Sequence, residues 1–448
     1  MPMTNKPRPN CAGHLPFTRR HFLFGAAAAG SSLLQAEQIA ARNAKTRGTA
    51  RAVVFFNLNG GSSHLDTFDP KDGAWNPRDV DIRQSGPFTL SNRFFPKLSR
   101  HLNDLLLVRS AAGWEAAHER GQFYMQTAHS QNPALAGETP HIGAVIAREK
   151  ATDGLLPPFM SFNQTGLQGA KFLGGLFEPM MPPATRNGIT TLSHNHFGAI
   201  AQSRERFERR FGLLETLDAP LRQAPMNDAM AAYAGYYGRA RAMMYNDVVD
   251  NIFKFSVDDE NRYGATGVGR AAIVARNAIR AKNGAIFFNI SQGGWDLHDN
   301  QFTAPTSIYT LTRELDNAVS ALSDDLKATG EFGETLIVVM GEFGRTPGPL
   351  NSRTGRDHYR NVQSIALLGG GIRGGRVIGA TDAQGSAITD YGWSGKRAIY
   401  PEDITASIYS ALGVDWTKSV LDTPSRRKYD FIVGAADGKF APVEEFWG

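Results

Sequence analysis

Three short stretches of this chain gather carboxylates and imidazoles, the first two just after paired glycines. The first, FFNLNGGSSHLDTFDP, offers His64, Asp66 and Asp69 after Gly60-Gly61. The second, FFNISQGGWDLHDN, offers Asp296, His298 and Asp299 after Gly293-Gly294. The third, LIVVMGEFGRTP, offers Glu342 and Arg345, and after a short loop GRDHY adds Asp357 and His358. Such groups repel one another when they converge unless a cation sits among them, and Asp/Glu/His sets suit Zn, Mn, Mg or Ca. The expected cofactor is therefore a divalent metal ion, with His64, Asp66, Asp296, His298, Asp357 and His358 as candidate ligands. Asp66 and Asp69 could equally be turn residues or helix caps. Asp357 and His358 are adjacent, so a regular strand would turn only one of them to the site, whereas a loop could present both. Arg345 could hold an anion bidentately or pair with Glu342 or another nearby carboxylate. His118, His129, His194 and His196 sit in polar surroundings and read as supporting groups, substrate contacts or surface residues.

The elements around these clusters explain how they would meet. Apolar runs at 52–58, 105–108, 285–290, 336–340 and 365–368 are rich in β-branched and aromatic residues and end in Gly-rich or polar turns. Continuous apolar character over so few residues marks strands buried on both faces. Helical patterns alternate with them, as over 307–328, where Ile308, Leu311, Leu315, Val319 and Leu322 recur at helical spacing. The expected fold is α/β, a mostly parallel central sheet with helices on both faces. In such sheets ligands bind outside the carboxyl ends of the strands, where the three clusters fall. Residues 157–263 read as a largely helical insertion, opening with a loop rich in Gly, Pro and Phe. The run Gly369 to Gly375 has neither phosphate-loop nor dinucleotide-loop spacing and reads as a turn.

The N-terminus carries a different message. A basic, Pro-rich start precedes Thr18-Arg19-Arg20-His21-Phe22-Leu23-Phe24 and then a weakly apolar stretch from Gly25 to Leu34. That order is the signature of a twin-arginine signal, so residues 1–45 are expected to be signal peptide and linker, cut after Ala36 or near Ala40-Ala41, and residues 46–448 the α/β domain. The expected partner is the twin-arginine translocase and the expected location is periplasmic or secreted. The only cysteine, Cys11, would leave with the signal, which excludes disulfides, thiolate ligands and a cysteine nucleophile from the mature chain. A net charge of +5 without a compact basic patch gives no support to nucleic-acid binding. No stretch reaches the ~18 apolar residues of a membrane span.

Taken together, the arginine pair, GGSSHLDTFDPKDG, GGWDLHDN, GEFGRTP, GRDHY and GGGIRGGRVIGATD resemble a bacterial family of unknown function, domain of unknown function 1501, over about residues 45 to 440. That family is grouped by fold with the alkaline phosphatase and sulfatase superfamily, α/β proteins that bind two divalent metals through Asp and His. The resemblance implies a metal-dependent hydrolase of phosphate or sulfate esters acting on an anionic small-molecule or glycan ester. The alternatives are a non-catalytic glycan- or anion-binding protein of the same fold, and a metal-dependent lyase or transferase. The superfamily's first-strand acid corresponds to Asp66 or Asp69. Its Asp and His ligands spaced by three residues correspond to Asp296 and His298, here separated by one residue. Its Asp-His-Gly corresponds to Glu342-Phe343-Gly344, so one ligand is missing or supplied by Asp357 or His358. No Ser or Cys stands in the sulfatases' C/S-x-P-x-R motif. Ser62, Ser63 and Thr127 are candidate nucleophiles, with Ser63 the one carried forward, and water activated by the metal is an alternative. Glu342 is implied as ligand or general base, and Arg345 as the group that steadies charged oxygens in the transition state.

Overall fold

A computed structural model describes residues 44–151, 154–189, 200–223, 228–421 and 423–448. The twin-arginine segment, His194 and His196 lie outside the described residues. The first eleven strands, in chain order, are β1 (Ala52–Leu58), β2 (Ile82–Ser85), β3 (Phe88–Ser91), β4 (Leu105–Ala111), β5 (Phe159–Phe162), β6 (Phe287–Gln292), β7 (Thr335–Met340), β8 (Gly344–Arg345), β9 (His358–Tyr359), β10 (Gln363–Gly369) and β11 (Arg376–Ile378), and four short strands follow. Seven of them form the central sheet in the order β11-β4-β10-β7-β1-β6-β5. Only β10 runs against the rest, pairing antiparallel with both β4 and β7.

Every residue of β1, β4, β6, β7 and β10 is buried. Alternation along each strand sends neighbouring side chains to opposite faces. Val54, Phe56 and Leu58 enter one core with the helices Gly267–Ala281 and Ile308–Thr329. Val53 and Phe55 enter the other with the helices Ile142–Lys150 and Pro401–Ala411. This two-faced burial is why the strands read as unbroken apolar runs.

Register places the chemistry. Asn57 of β1 lies level with Ser291 of β6 and Met340 of β7, so the three central strands end together and their following loops meet. Gly60 makes that meeting possible. Its φ is +116°, and a Cβ there would stand 2.4 Å from the backbone nitrogen of Asp296.

The range 157–263 is not wholly an insertion. Its residues 159–162 are β5, the sheet edge paired with β6, and Val249, Ile252, Phe253 and Tyr263 belong to the first core. A four-residue strand directly after Pro157-Pro158 is too short for its apolar pattern to stand out. Among the described residues no helix is long and apolar enough to cross a membrane.

Candidate metal centre

Four side chains converge at the carboxyl edge of the sheet: His118, Asp296, His298 and His358, each offering one atom within 4.8 Å of the others. His118 opens the helix His118–Thr127 that follows β4. Asp296 and His298 come from the loop after β6. His358 lies on β9, whose ladder with β8 sets it opposite Arg345.

The outer nitrogen of each imidazole is committed to an acceptor. His118 Nδ1 lies 2.9 Å from Glu342 Oε1, His298 Nδ1 lies 2.8 Å from Asp357 Oδ1, and His358 Nδ1 lies 2.7 Å from the carbonyl oxygen of Ala116. A carbonyl or an ionised carboxylate can only accept, so each Nδ1 carries a proton and, in the neutral ring, each Nε2 presents a lone pair. Those lone pairs point at one another. His298 Nε2 and His358 Nε2 are 2.9 Å apart, and His118 Nε2 is buried without a hydrogen bond. Asp296 Oδ1 lies 3.1, 3.0 and 3.5 Å from the Nε2 atoms of His118, His298 and His358. Ligands bound tetrahedrally at about 2.0–2.1 Å stand roughly 3.3 Å apart, so the donor set fits a cation of that size.

The charges around this cluster are set by burial and by the partners of each group together. Burial pushes the Asp296 carboxyl up, but its bond to Arg345 and the neighbouring imidazoles outweigh this and bring it down to about 2. The hydrogen bond to Glu342 holds His118 above the ordinary imidazole value, while burial holds His358 below it. Phe343, fully buried, packs its ring against His118 and His358 at centroid distances of 5.1 and 4.7 Å. The position where the resemblance calls for a histidine is therefore an apolar wall, and the described residues contain a single ligand group of this kind.

Several expected roles change. Asp66 is buried and accepts from Arg356 Nε and Gln301 Nε2, both at 2.8 Å, and His64 Nε2 bonds the carbonyl of Gly385. Both are buried as structural groups, Asp66 because Arg356 is itself fully buried and needs a counter-charge. Asp357 holds His298 from behind. Glu342 takes Gly60 N, His118 Nδ1 and Gln122 Nε2, which leaves it no room to act as a base. Arg345 is buried with all five N–H groups engaged: Nε with Gly61 O, Nη1 with Arg356 O and His298 Nε2, and Nη2 with Gly60 O and Asp296 Oδ1. It locks the glycine turn to Asp296, and only the Nη1–H now on His298 Nε2 would be released if that nitrogen bound a metal. Ser63 Oγ is buried with no hydrogen-bond partner, so no base activates it. His118 joins the cluster although nothing beside it in sequence marks it out.

Fold and site define an α/β protein with a three-histidine, one-aspartate cluster where the central strands end. The chain belongs to the family described as "Protein of unknown function (DUF1501)", which matches residues 50–429. No curated protein matches it. Among solved structures it is similar to a sulfatase from Pseudoalteromonas sp. (11% identity, 94% of this chain and 77% of that one, TM-score 0.37). It is also similar to a phosphonate monoester hydrolase from Silicibacter pomeroyi (12%, 88% and 78%, 0.38). A third is a protein in the alkaline phosphatase superfamily from Vibrio parahaemolyticus (12%, 83% and 68%, 0.37). At these scores they are similarities of chain path only, and the chemistry of the site rests on its own atoms.

Proposed function

We propose that this protein is a divalent-metal-dependent hydrolase of phosphate or sulfate esters that works outside the cytoplasm after twin-arginine export. The observation that carries the reading is the set of three imidazoles whose Nδ1 protons are all engaged, leaving three Nε2 lone pairs converging on Asp296. His118, Asp296, His298 and His358 would hold the metal, and a nitrogen-rich donor set favours zinc or a similar transition ion over Ca or Mg. When bound, such an ion supplies Lewis-acid polarisation of an ester oxygen and lowers the pKa of water to ~7. Glu342, Asp357 and the Ala116 carbonyl orient the imidazoles. Arg345 keeps Asp296 ionised and in place. The four side chains retain between 22% and 46% exposure, so a solvent-borne ester can reach them.

Elemental analysis of the exported protein, joined to a screen on aryl phosphates and aryl sulfates, tests this. One equivalent of divalent metal per chain with turnover is expected. The reading fails if no stoichiometric metal is found, or if replacing Asp296 and His298 leaves both metal content and activity intact. The committed guanidinium of Arg345 and the unactivated Ser63 favour a second reading, a metal-loaded protein that binds an anion or glycan without turnover. Metal without activity on any ester selects it.

A further inference from the structure

A second polar cleft lies away from the candidate centre. It has a volume of about 410 Å³ and is lined from the turn that leads into β4, from the helix Val257–Tyr263 and from the far half of the helix Ile308–Thr329. β4 separates the two places: His101 and the short turn Leu98–Arg100 precede its first residue, whereas His118 follows its last. Its seven extended residues span on the order of 20 Å. The lining is cationic, with Lys97, Arg100, Arg262 and Lys327 beside the ring of His101 and one carboxylate, Asp324. Among the described residues Lys97 Nζ has no hydrogen bond or ion pair, and the Arg100 guanidinium reaches only the Pro96 carbonyl, at 3.4 Å. Arg262 places Nη2 on Asp325 and Asp259 and keeps Nε and Nη1 free. Lys327 donates to Asp104 and to His101 Nδ1, which leaves one of its three N–H groups. Ser320 lines the same cleft at 2% exposure, and its Oγ has no hydrogen-bond partner. Serine and threonine inside a helix can bond the carbonyl four residues back, and on this helix Thr312 and Ser323 do so, at 2.6 and 2.8 Å. Ser320 does not, although a buried hydroxyl left unpaired is costly.

We infer that this cleft is a binding site for a multivalent phosphate anion, separate from the candidate centre and independent of the reaction proposed there. A hydroxyl donor without an acceptor, beside cations without counter-charges, is an arrangement that an oxyanion completes. Ser320 donates from the buried wall, while Lys97, Arg100, Arg262 and Lys327 supply charge around it. The volume falls in the ~300–1,000 Å³ range of small-molecule sites, more than a single phosphate fills. Four cations against one carboxylate favour the higher charge of pyrophosphate over orthophosphate. A ligand held there bridges the turn before β4 to two helices, so it stabilises the fold as it binds.

The test is calorimetric titration of the full mature protein, stripped of metal by chelation, with pyrophosphate and with orthophosphate at constant ionic strength. One equivalent of pyrophosphate per chain is expected, bound more tightly than orthophosphate and more weakly as salt is raised. Ser320→Ala should weaken it by about ten-fold, the loss of one hydrogen bond to a charged group. The Tm of the anion-free protein should not fall in this variant, because the hydroxyl removed has no partner in the fold. Lys97→Gln combined with Arg100→Gln should weaken binding by a similar factor and flatten its dependence on salt. Asp296→Ala combined with His298→Ala should leave pyrophosphate binding as it is in wild type. If Ser320→Ala fails to fold, the Lys97, Arg100 variant and the stoichiometry decide. The site is overturned if pyrophosphate does not bind, or if the Ser320 and the Lys97, Arg100 variants bind it as wild type does. A loss confined to the Lys97, Arg100 variant overturns it too, as diffuse attraction to surface charge. Loss of binding in the Asp296, His298 variant overturns it by placing the anion at the candidate centre.

Discussion

Asp357 touches the candidate centre only through His298, yet it decides which nitrogen of that ring is free. Its Oδ1 takes the Nδ1 proton at 2.8 Å, and Arg353 steadies it from the solvent side at 3.3 Å. Groups in this position set the tautomer and orientation of a ligand and are worth 10–100-fold in metal affinity. Asp357→Asn should therefore weaken zinc binding by about that factor, measured by competition with a chromogenic chelator. An unchanged Kd would show that His298 needs no such support. Asp66 makes the opposite case, since its carboxylate is buried against Arg356. Asp66→Ala leaves a buried guanidinium unpaired and should cost roughly 3–5 kcal/mol in denaturant unfolding, while the folded fraction still takes up one metal per chain. Loss of metal from the folded fraction would restore Asp66 as a ligand. These two aspartates show how far residue type alone can be read. Asp296, His298 and His358 were legible because an acid or imidazole just past a strand end has few other uses in such number. Asp66 and His64 carry the same local pattern, and only the buried Arg356 and the Gly385 carbonyl, far along the chain, separate them from ligands. His118 was passed over because its partner Glu342 lies 224 positions away.

Strand ends and turns set the precision with which these residues meet. Gly60, at φ +116°, lets the turn after β1 lie against the backbone of Asp296. In Gly60→Ala the new Cβ meets that backbone and the residue is held in a region that L side chains avoid, a cost on the order of 1–3 kcal/mol. A lower Tm together with weaker metal binding is expected in calorimetry, and a change in Tm alone would mean that the Asp296 loop does not depend on this turn. A second element-level contact lies away from the site. Asp316 on the helix Ile308–Thr329 accepts from Lys97 N at 3.0 Å and Leu98 N at 2.7 Å, fixing the turn before β4. Burial raises its carboxyl from 3.8 to about 6 despite those bonds. The folded state then binds more protons than the unfolded one between about pH 4 and 6, so this group's contribution falls as pH rises through that window, by on the order of 3 kcal/mol in full. The Tm of Asp316→Asn minus that of wild type should grow from pH 4 to pH 7, and a gap independent of pH would count against the raised value. The long strands and the amphipathic helix 308–329 were legible because each buries apolar residues at a fixed period. β5 and β11 were not, with four and three residues and a place at the sheet edges that only pairing reveals.

For the molecule as a whole, the ligands come from three separate stretches of chain, after β4, after β6 and on β9, so the site exists only once the sheet has formed. Binding to such a site is folding free energy: at a metal concentration of 1,000 Kd it adds about 4 kcal/mol, and chelation should lower the calorimetric Tm by several degrees, reversed by adding metal back. The same dependence gives the proposed export route a physical purpose. A translocase that carries folded proteins would deliver a centre already filled in the cytoplasm. Outside, competition among divalent ions would follow intrinsic affinity and favour copper on a nitrogen-rich site. We therefore expect protein recovered from the periplasm of cells grown in copper-rich medium to carry the same metal as protein from ordinary medium. Apo protein refolded in that mixture should instead take up copper. Copper in the exported protein, or normal export of an Asp296→Ala, His298→Ala variant that holds no metal, would separate metal loading from export and remove the link between them.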